Sequence, residues 1–186
     1  TATEPRAILA NAAEHLVRAL TISYFTGLRP GRSELLKIRW RQVDLDAKTI
    51  LVLSASKGGP KARLVPLHPQ FAELLAKWRE ADEKDRQGGN RPQEDYIITY
   101  RGKPVERIIK SFSAAKRRAG ITRRLRPYDF RHAFATALLA GNADPRKVSE
   151  LIGHSRVDTT LSIYNHTTTA LNRAVIERLP GLGNDK

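Results

Sequence analysis

Two β-rich runs, one on each side of Lys57, Gly58, Gly59 and Pro60, constrain the fold more than any other feature of this 186-residue chain. Thr49, Ile50, Leu51, Val52 and Leu53 precede the break; Arg63, Leu64, Val65, Pro66 and Leu67 follow it. Two short β-branched runs around a Gly-Gly-Pro turn predict an antiparallel hairpin. Proline has no N–H to give a ladder, so Pro66 puts the second run at a sheet edge. Residues 96–100 are expected to form a third short strand.

Most of the remaining chain reads as helix. Leu16, Leu20 and Tyr24 recur at helical spacing within one expected helix over residues 5–25, and Gly27 sits where a helix stops. A short helix is expected over 33–38. Another over 69–81 carries Phe71, Leu74, Leu75 and Trp78 on one stripe, and the polar stretch 82–94 reads as a surface loop. Val105, Ile108, Ile109, Phe112 and Ala115 mark an amphipathic helix whose other face carries Arg107, Lys110 and Arg118. A helix over 128–140 stops at Gly141. Asp144 followed by Pro145 is an N-cap with a first-turn proline. That helix carries Val148, Leu151 and Ile152 and ends at Gly153. Asp158 can cap a helix containing Tyr164. A last helix is expected over 168–179, with Leu171, Val175, Ile176 and Leu179 at helical spacing. The expected fold class is mainly α with a small three-stranded antiparallel β-sheet, as one domain over residues 1–186 without internal repeats.

Charge narrows the partner. The formal net charge is +14, from 33 Lys and Arg against 19 Asp and Glu. From Arg101 to Arg131 there are 11 basic residues and two acids, Glu106 and Asp129. A solvated face mixes signs, so this segment reads as a surface that follows phosphates. There is no cysteine, which excludes disulfides, thiolate metal sites and cysteine nucleophiles. No apolar run approaches the roughly 20 residues of a membrane span. The chain also lacks methionine, so it is expected to be a fragment of a longer protein.

Taken singly, the candidate functional residues are ambiguous. Arg29 follows Thr26, Gly27 and Leu28 and precedes Pro30 and Gly31; its fork suits a phosphate, or it is a structural partner of Glu34. Arg131 lies on a helix with Tyr128, Phe130, His132 and Phe134. At helical spacing Phe130, Phe134 and Ala137 share the face expected in the core, and Tyr128, Arg131 and His132 share the opposite one. His154 follows a helix end at Gly153, and Tyr164 lies ten residues further on. Lys57 sits on a Gly-Gly turn, where most lysines are simply solvated.

In this order, the segments resemble the catalytic domain of the tyrosine recombinases of the phage integrase family. The family has a T-G-x-R box, matched by Thr26, Gly27, Leu28 and Arg29. It places a lysine in a hairpin ending R-x-V-P-L, matched by Lys57 and by Arg63 to Leu67. An H-x-x-R-H box, an L-G-H box and a tyrosine complete the set. Here they read Tyr128, Asp129, Phe130, Arg131 and His132, then Ile152, Gly153 and His154, then Tyr164. Four departures stand out. Tyr128 replaces the usual histidine, and Ile152 replaces leucine. Glu34 lies further beyond Arg29 than usual. The Lys57 turn is about a residue longer, which leaves Lys61 as a competitor.

The resemblance implies a site-specific recombinase or integrase, acting through an integrase-like catalytic core. Arg29 and Arg131 would clamp the scissile phosphate and His154 would add a hydrogen bond. Lys57 would protonate the departing 5′ oxygen, while Tyr164 attacks phosphorus and keeps a 3′-phosphotyrosyl bond. Tyr128 would position the phosphate, or its ring would pack beneath Arg131. Arg107, Lys110, Arg118, Arg123, Arg124 and Arg126 are the expected DNA contacts. No cofactor, metal or small-molecule substrate is expected, since the sequence offers no paired carboxylates at metal-ligand spacing. The implied partner is double-stranded DNA, and the implied assembly a homotetramer in the cytoplasm, completed by an N-terminal core-binding domain not found in these residues. A type IB topoisomerase-like enzyme and an inactive DNA-binding module are the alternatives.

Overall fold

The hairpin frames the sheet. In the computed structural model, residues 3–53, 62–89, 95–154 and 159–160 are described. Strand β2 (Thr49–Leu53) pairs antiparallel with β3 (Ala62–Pro66), and β1 (Val43–Asp44) pairs with the other side of β2. The order β1-β2-β3 makes β3 an edge, as Pro66 requires. Ile50 and Val52 point into the core, and Leu51 and Leu53 point away from it, the period of two that a half-buried sheet shows.

The third strand is therefore Val43–Asp44 and not the segment at 96–100. Within that segment β4 (Thr99–Tyr100) folds back on β5 (Lys103–Pro104) as a separate two-stranded ribbon. Arg101 and Gly102 between them both have positive φ, 50° and 73°. A two-residue turn of that kind closes a hairpin locally, so the run spends its pairing on its immediate neighbour. Tyr96 forms an isolated bridge to Arg39 outside the named strands.

The expected single helix over 5–25 is two helices, α1 (Thr3–Ala10) and α2 (Glu14–Thr26). The Asn11 amide donates to the Ala7 carbonyl, and Asn11 and Ala12 N–H groups bond three residues back, which tightens and ends the first helix. Helix α3 (Pro69–Gln87) outruns its expected end at 81. Asp82 is not a solvated loop residue: it is 1% exposed and accepts hydrogen bonds from Arg18 Nη1 and Trp40 Nε1, each at 2.8 Å. Pairs Arg79–Glu83 and Glu80–Lys84 lace the exposed face of this last stretch.

Short 3-10 turns at Leu35–Lys37, within the helix expected over 33–38, and at Trp40–Gln42 precede β1, and helices α4 (Ile109–Arg118), α5 (Tyr128–Ala140) and α6 (Pro145–Ile152) follow β5. The ends of α5 and α6 fall where the sequence puts them, because Gly141, Asp144 and Gly153 supply the caps. Asp144 accepts from the Arg146 N–H, and Gly153 takes the left-handed conformation at φ 70°. Ile109 is exposed, so the apolar stripe of α4 is narrower than expected.

A main core gathers Leu16, Leu20, Ile22, Leu35, Ile50 and Phe71, among others, and a smaller one of Ala135, Leu139, Val148 and Ile152 lies between α5 and α6. The two meet where α2 ends. Gly27 has φ 65°, and a Cβ there would fall 2.6 Å from Phe134 Cδ1 and 2.7 Å from Ile152 Cγ2. Glycine alone lets the end of α2 come this close to α5 and α6. No helix among the described residues is long and apolar enough to cross a membrane. Lys57, Lys61, the cap expected at Asp158, the helix expected around Tyr164 and the helix expected over 168–179 lie outside the described residues.

Candidate active site

Glu34 organises the site. Its carboxylate is fully buried and faces three guanidinium groups. Arg29 meets it twice, through its backbone N–H at 3.0 Å and through Nη1 at 3.3 Å. Arg63 grips both oxygens, Nη2 at 2.8 Å and Nη1 at 3.2 Å. Arg131 Nη1 stands 3.9 Å away and donates to the Gly27 carbonyl. Three guanidinium charges against one carboxylate leave two positive charges in a largely buried cluster. A cluster so charged is chemically suited to an anionic group such as a phosphoryl oxygen.

The local folding explains how these groups arrive. Gly27 ends α2, Leu28 is buried as an anchor, and the chain turns so that Arg29 leaves the core with its side chain 25% exposed. Arg29 Nη2 also donates to the Gly153 carbonyl at 2.9 Å, at the end of α6. Arg29 therefore pairs with Glu34, as the structural reading expects, while its side chain stays partly exposed.

Arg131 departs from the expectation that it faces away from the core. It is 2% exposed, and the inward residues of α5 are Phe130, Arg131, Ala135 and Leu139, while Ala137 is exposed. The Gly27 carbonyl and Glu34 make that burial tolerable for a cation. Burial still pulls its guanidinium below the ordinary value, offset by Tyr128 and Glu34. Its Nη2 has no hydrogen-bond partner among the described residues, a donor suited to an anionic oxygen. The Tyr128 ring lies 5.9 Å from the Arg131 guanidinium carbon and meets the His132 ring edge-on at 5.0 Å. These ring contacts fit the packing role for Tyr128.

His154 follows the left-handed Gly153 and is half-buried. Its Nδ1 shares a hydrogen bond with Thr160 Oγ1 at 3.0 Å. Its pKa is pushed down to about 4, first by burial and then by the charges of Arg131, Arg29, His132 and Arg63. The imidazole is therefore neutral at physiological pH, and when Thr160 donates to Nδ1 the other ring nitrogen carries the N–H.

Of the expected DNA contacts, Arg107, Lys110 and Arg124 are exposed. Three others have internal partners. Arg118 donates twice to the Asn11 carbonyl, Arg123 forks onto Glu4, and Arg126 pairs with Asp129 at 3.7 Å. Arg118 and Arg123 thereby hold α1 in place, and the six residues do not form one uniformly free surface. An ion pair of 3.4 Å between Arg32 and Glu106 brings the Arg29 loop beside the start of α4. A groove of about 770 Å³ nearby is lined by Tyr100, Arg101, Lys103, Arg107 and Arg118. Arg101 and Lys103 belong to the basic run, and nothing in the sequence announces the ribbon turn that projects them. Among the described residues no group of His, Asp and Glu is placed to hold a metal ion.

Comparison with known proteins agrees with this geometry. The phage integrase family model matches residues 1–170. The chain is 34% identical over 158 residues to tyrosine recombinase XerC of Pediococcus pentosaceus, covering 82% of this chain and 50% of that protein. It is 34% identical over 147 residues to tyrosine recombinase XerD of Lacticaseibacillus casei, covering 78% and 48%. The chain thus spans about half the length of the curated relatives it matches. Among solved structures, the XerA recombinase crystal structure matches with a TM-score of 0.72 at 24% identity, over 97% of this chain and 65% of that one. The catalytic domain of bacteriophage HP1 integrase matches at 0.65 and 19% identity, over 99% and 95%. The fold is that of a tyrosine recombinase catalytic domain. With three arginines gathered around one carboxylate, His154 at the adjoining end of α6 and its sequence matched over residues 1–170, the chain belongs to the phage integrase family.

Proposed function

We propose that this chain is the catalytic part of a site-specific DNA recombinase that breaks and rejoins strands through a covalent 3′-phosphotyrosyl intermediate. The observation that carries the reading is the convergence of Arg29, Arg131 and His154, three separate sequence boxes, on one carboxylate and one helix end. Relatives named tyrosine recombinase XerC and XerD support it. So do fold neighbours solved with nucleic acid, XerH with its difH substrate and the Tn1549 integrase with circular intermediate DNA.

In this reading Arg29 and Arg131, the latter through Nη2, take the non-bridging oxygens of the scissile phosphate. The neutral His154 adds a hydrogen bond and no charge. Tyr128 supports Arg131 with its ring. The Tyr164 oxygen bonds to phosphorus as the bond from phosphorus to O5′ breaks, and Lys57 gives that oxygen its proton. A 5′-hydroxyl of another strand then attacks phosphorus and releases Tyr164. One phosphodiester-level bond is exchanged for another, so no nucleotide cofactor enters. Arg107, Lys110 and Arg124 follow the duplex backbone, while Arg118, Arg123 and Arg126 hold internal partners beside them. The working form is a homotetramer on two duplexes, acting on cytoplasmic DNA.

The test is the rate of covalent attachment to a nicked duplex carrying the recombination site. Arg29→Ala and Arg131→Ala are each expected to slow it by about a hundredfold or more, the usual cost of a lost preorganised contact. A loss under about tenfold, roughly 1.4 kcal/mol of barrier, would make that arginine structural.

A further inference from the structure

We infer that Arg63, on the edge strand β3, is a positioning residue that sets the geometry of both Arg29 and His154. The inference rests on the strand-transfer reading above. Arg63 has no free path to a phosphate: its side chain is 6% exposed and all three of its nitrogens are engaged. Nη1 and Nη2 hold the two oxygens of Glu34, and Nε donates to the Leu151 carbonyl at 2.8 Å.

Each of those contacts leads to a reacting group. Glu34 is the carboxylate that fixes Arg29 through its backbone N–H and through Nη1. Leu151 belongs to the last turn of α6, two residues before the Gly153 carbonyl that takes Arg29 Nη2 and three before His154. The contact at Gly153 is intimate: a Cβ there would stand 2.8 Å from Arg63 Nη1. One planar fork therefore ties strand β3, the loop after α2 and the end of α6 into a single register. A lysine could replace its charge but not this geometry, because an ammonium group is a point donor without a fixed fork.

The variant that separates the roles is Arg63→Lys, measured beside Arg63→Ala. Three quantities are read on the full chain: thermal midpoint, affinity for orthovanadate as a phosphate probe, and rate of covalent attachment to a nicked duplex. Positioning predicts that both variants lose about tenfold or more in rate and in vanadate affinity, at temperatures well below their midpoints. Recovery to within about threefold by lysine would show that charge alone is needed and would overturn the inference. An altered midpoint with unchanged rate and affinity would overturn it as well, in favour of a purely structural arginine. Glu34→Gln keeps the carboxylate's shape and is expected to lower the rate in the same way. It also decides the matter if neither Arg63 variant folds, since an unchanged rate would then contradict the inference. In the double variant with Arg63→Lys the losses should fall well short of adding, whereas additive losses would mean that the two residues act separately. If the unaltered chain forms no covalent product, the strand-transfer reading fails, and vanadate affinity still decides the role of Arg63.

Discussion

At the scale of single residues, the site is an argument about one buried charge. A carboxylate taken out of water needs several donors, and Glu34 finds them in Arg29, Arg63 and Arg131. The sequence named two of these arginines as candidates through their boxes. Glu34's role was uncertain there because its distance along the chain from Arg29 says nothing about the turn that brings it back. Arg63 was visible only as part of a hairpin motif, since no spacing rule links a strand residue to a carboxylate 29 positions earlier. The inward turn of Arg131 escaped sequence reasoning for a related reason: helical periodicity assigns charged residues outward unless a buried acceptor is known. His154 yields a prediction at this scale. Its pKa is lowered to about 4 in the folded chain against an ordinary value of 6.5. The unfolded chain therefore binds the proton first. The stability that His154 supplies is full above about pH 6.5 and is lost as pH falls from there toward 4. His15 is also held low by burial and acts in the same direction. The check is the difference in thermal midpoint between pH 7 and pH 4.5, which should be smaller in His154→Gln than in the unaltered chain. Equal differences would contradict the buried, neutral histidine.

At the scale of elements, legibility followed the caps. Helices α5 and α6 carry Gly141, Asp144, Pro145 and Gly153 at their ends, and those residues fix boundaries through local backbone conformation and capping. The hairpin and its edge were readable for the same reason, through Pro66 and the turn. Where an end depended on distant partners, reading failed. The stretch from Asp82 to Gln87 is polar enough for a loop, yet it continues α3 because Asp82 is held by Arg18 and Trp40 in the core. The break between α1 and α2 is set by one asparagine side chain within an otherwise helical pattern. Asp82→Ala should therefore do what a loop substitution would not. It removes the acceptor of Arg18 Nη1 and Trp40 Nε1 while Glu14 still pairs with Arg18, and should cost about 1–3 kcal/mol in urea unfolding. A loss under about 0.5 kcal/mol, typical of a surface site, would return the residue to the surface.

At the scale of the whole molecule, charge and family membership make connected claims. A net charge of +14 and a run of cations from Arg101 to Arg131 supply phosphate contacts more readily than base readout. The chain is expected to bind duplex DNA with a steep salt dependence, each phosphate contact adding about 0.9 to the slope of log K against log salt. Arg107→Ala and Lys110→Ala should each flatten that slope by about one. Arg123→Ala should leave it nearly unchanged, because its guanidinium is committed to Glu4. A salt response that is flat from the start would remove the basic segment from the interface. The central claim, that a tyrosine of this chain becomes bonded to DNA, is tested most directly by covalent capture. The chain is incubated with a nicked duplex bearing its recombination site, and protein-linked DNA is resolved under denaturing conditions. The account predicts a covalent species for the unaltered chain and none for Tyr164→Phe, with DNA affinity the same for both to within about threefold, since the lost hydroxyl carries no phosphate-binding charge. A covalent species formed by Tyr164→Phe, or none formed by the unaltered chain, would contradict it.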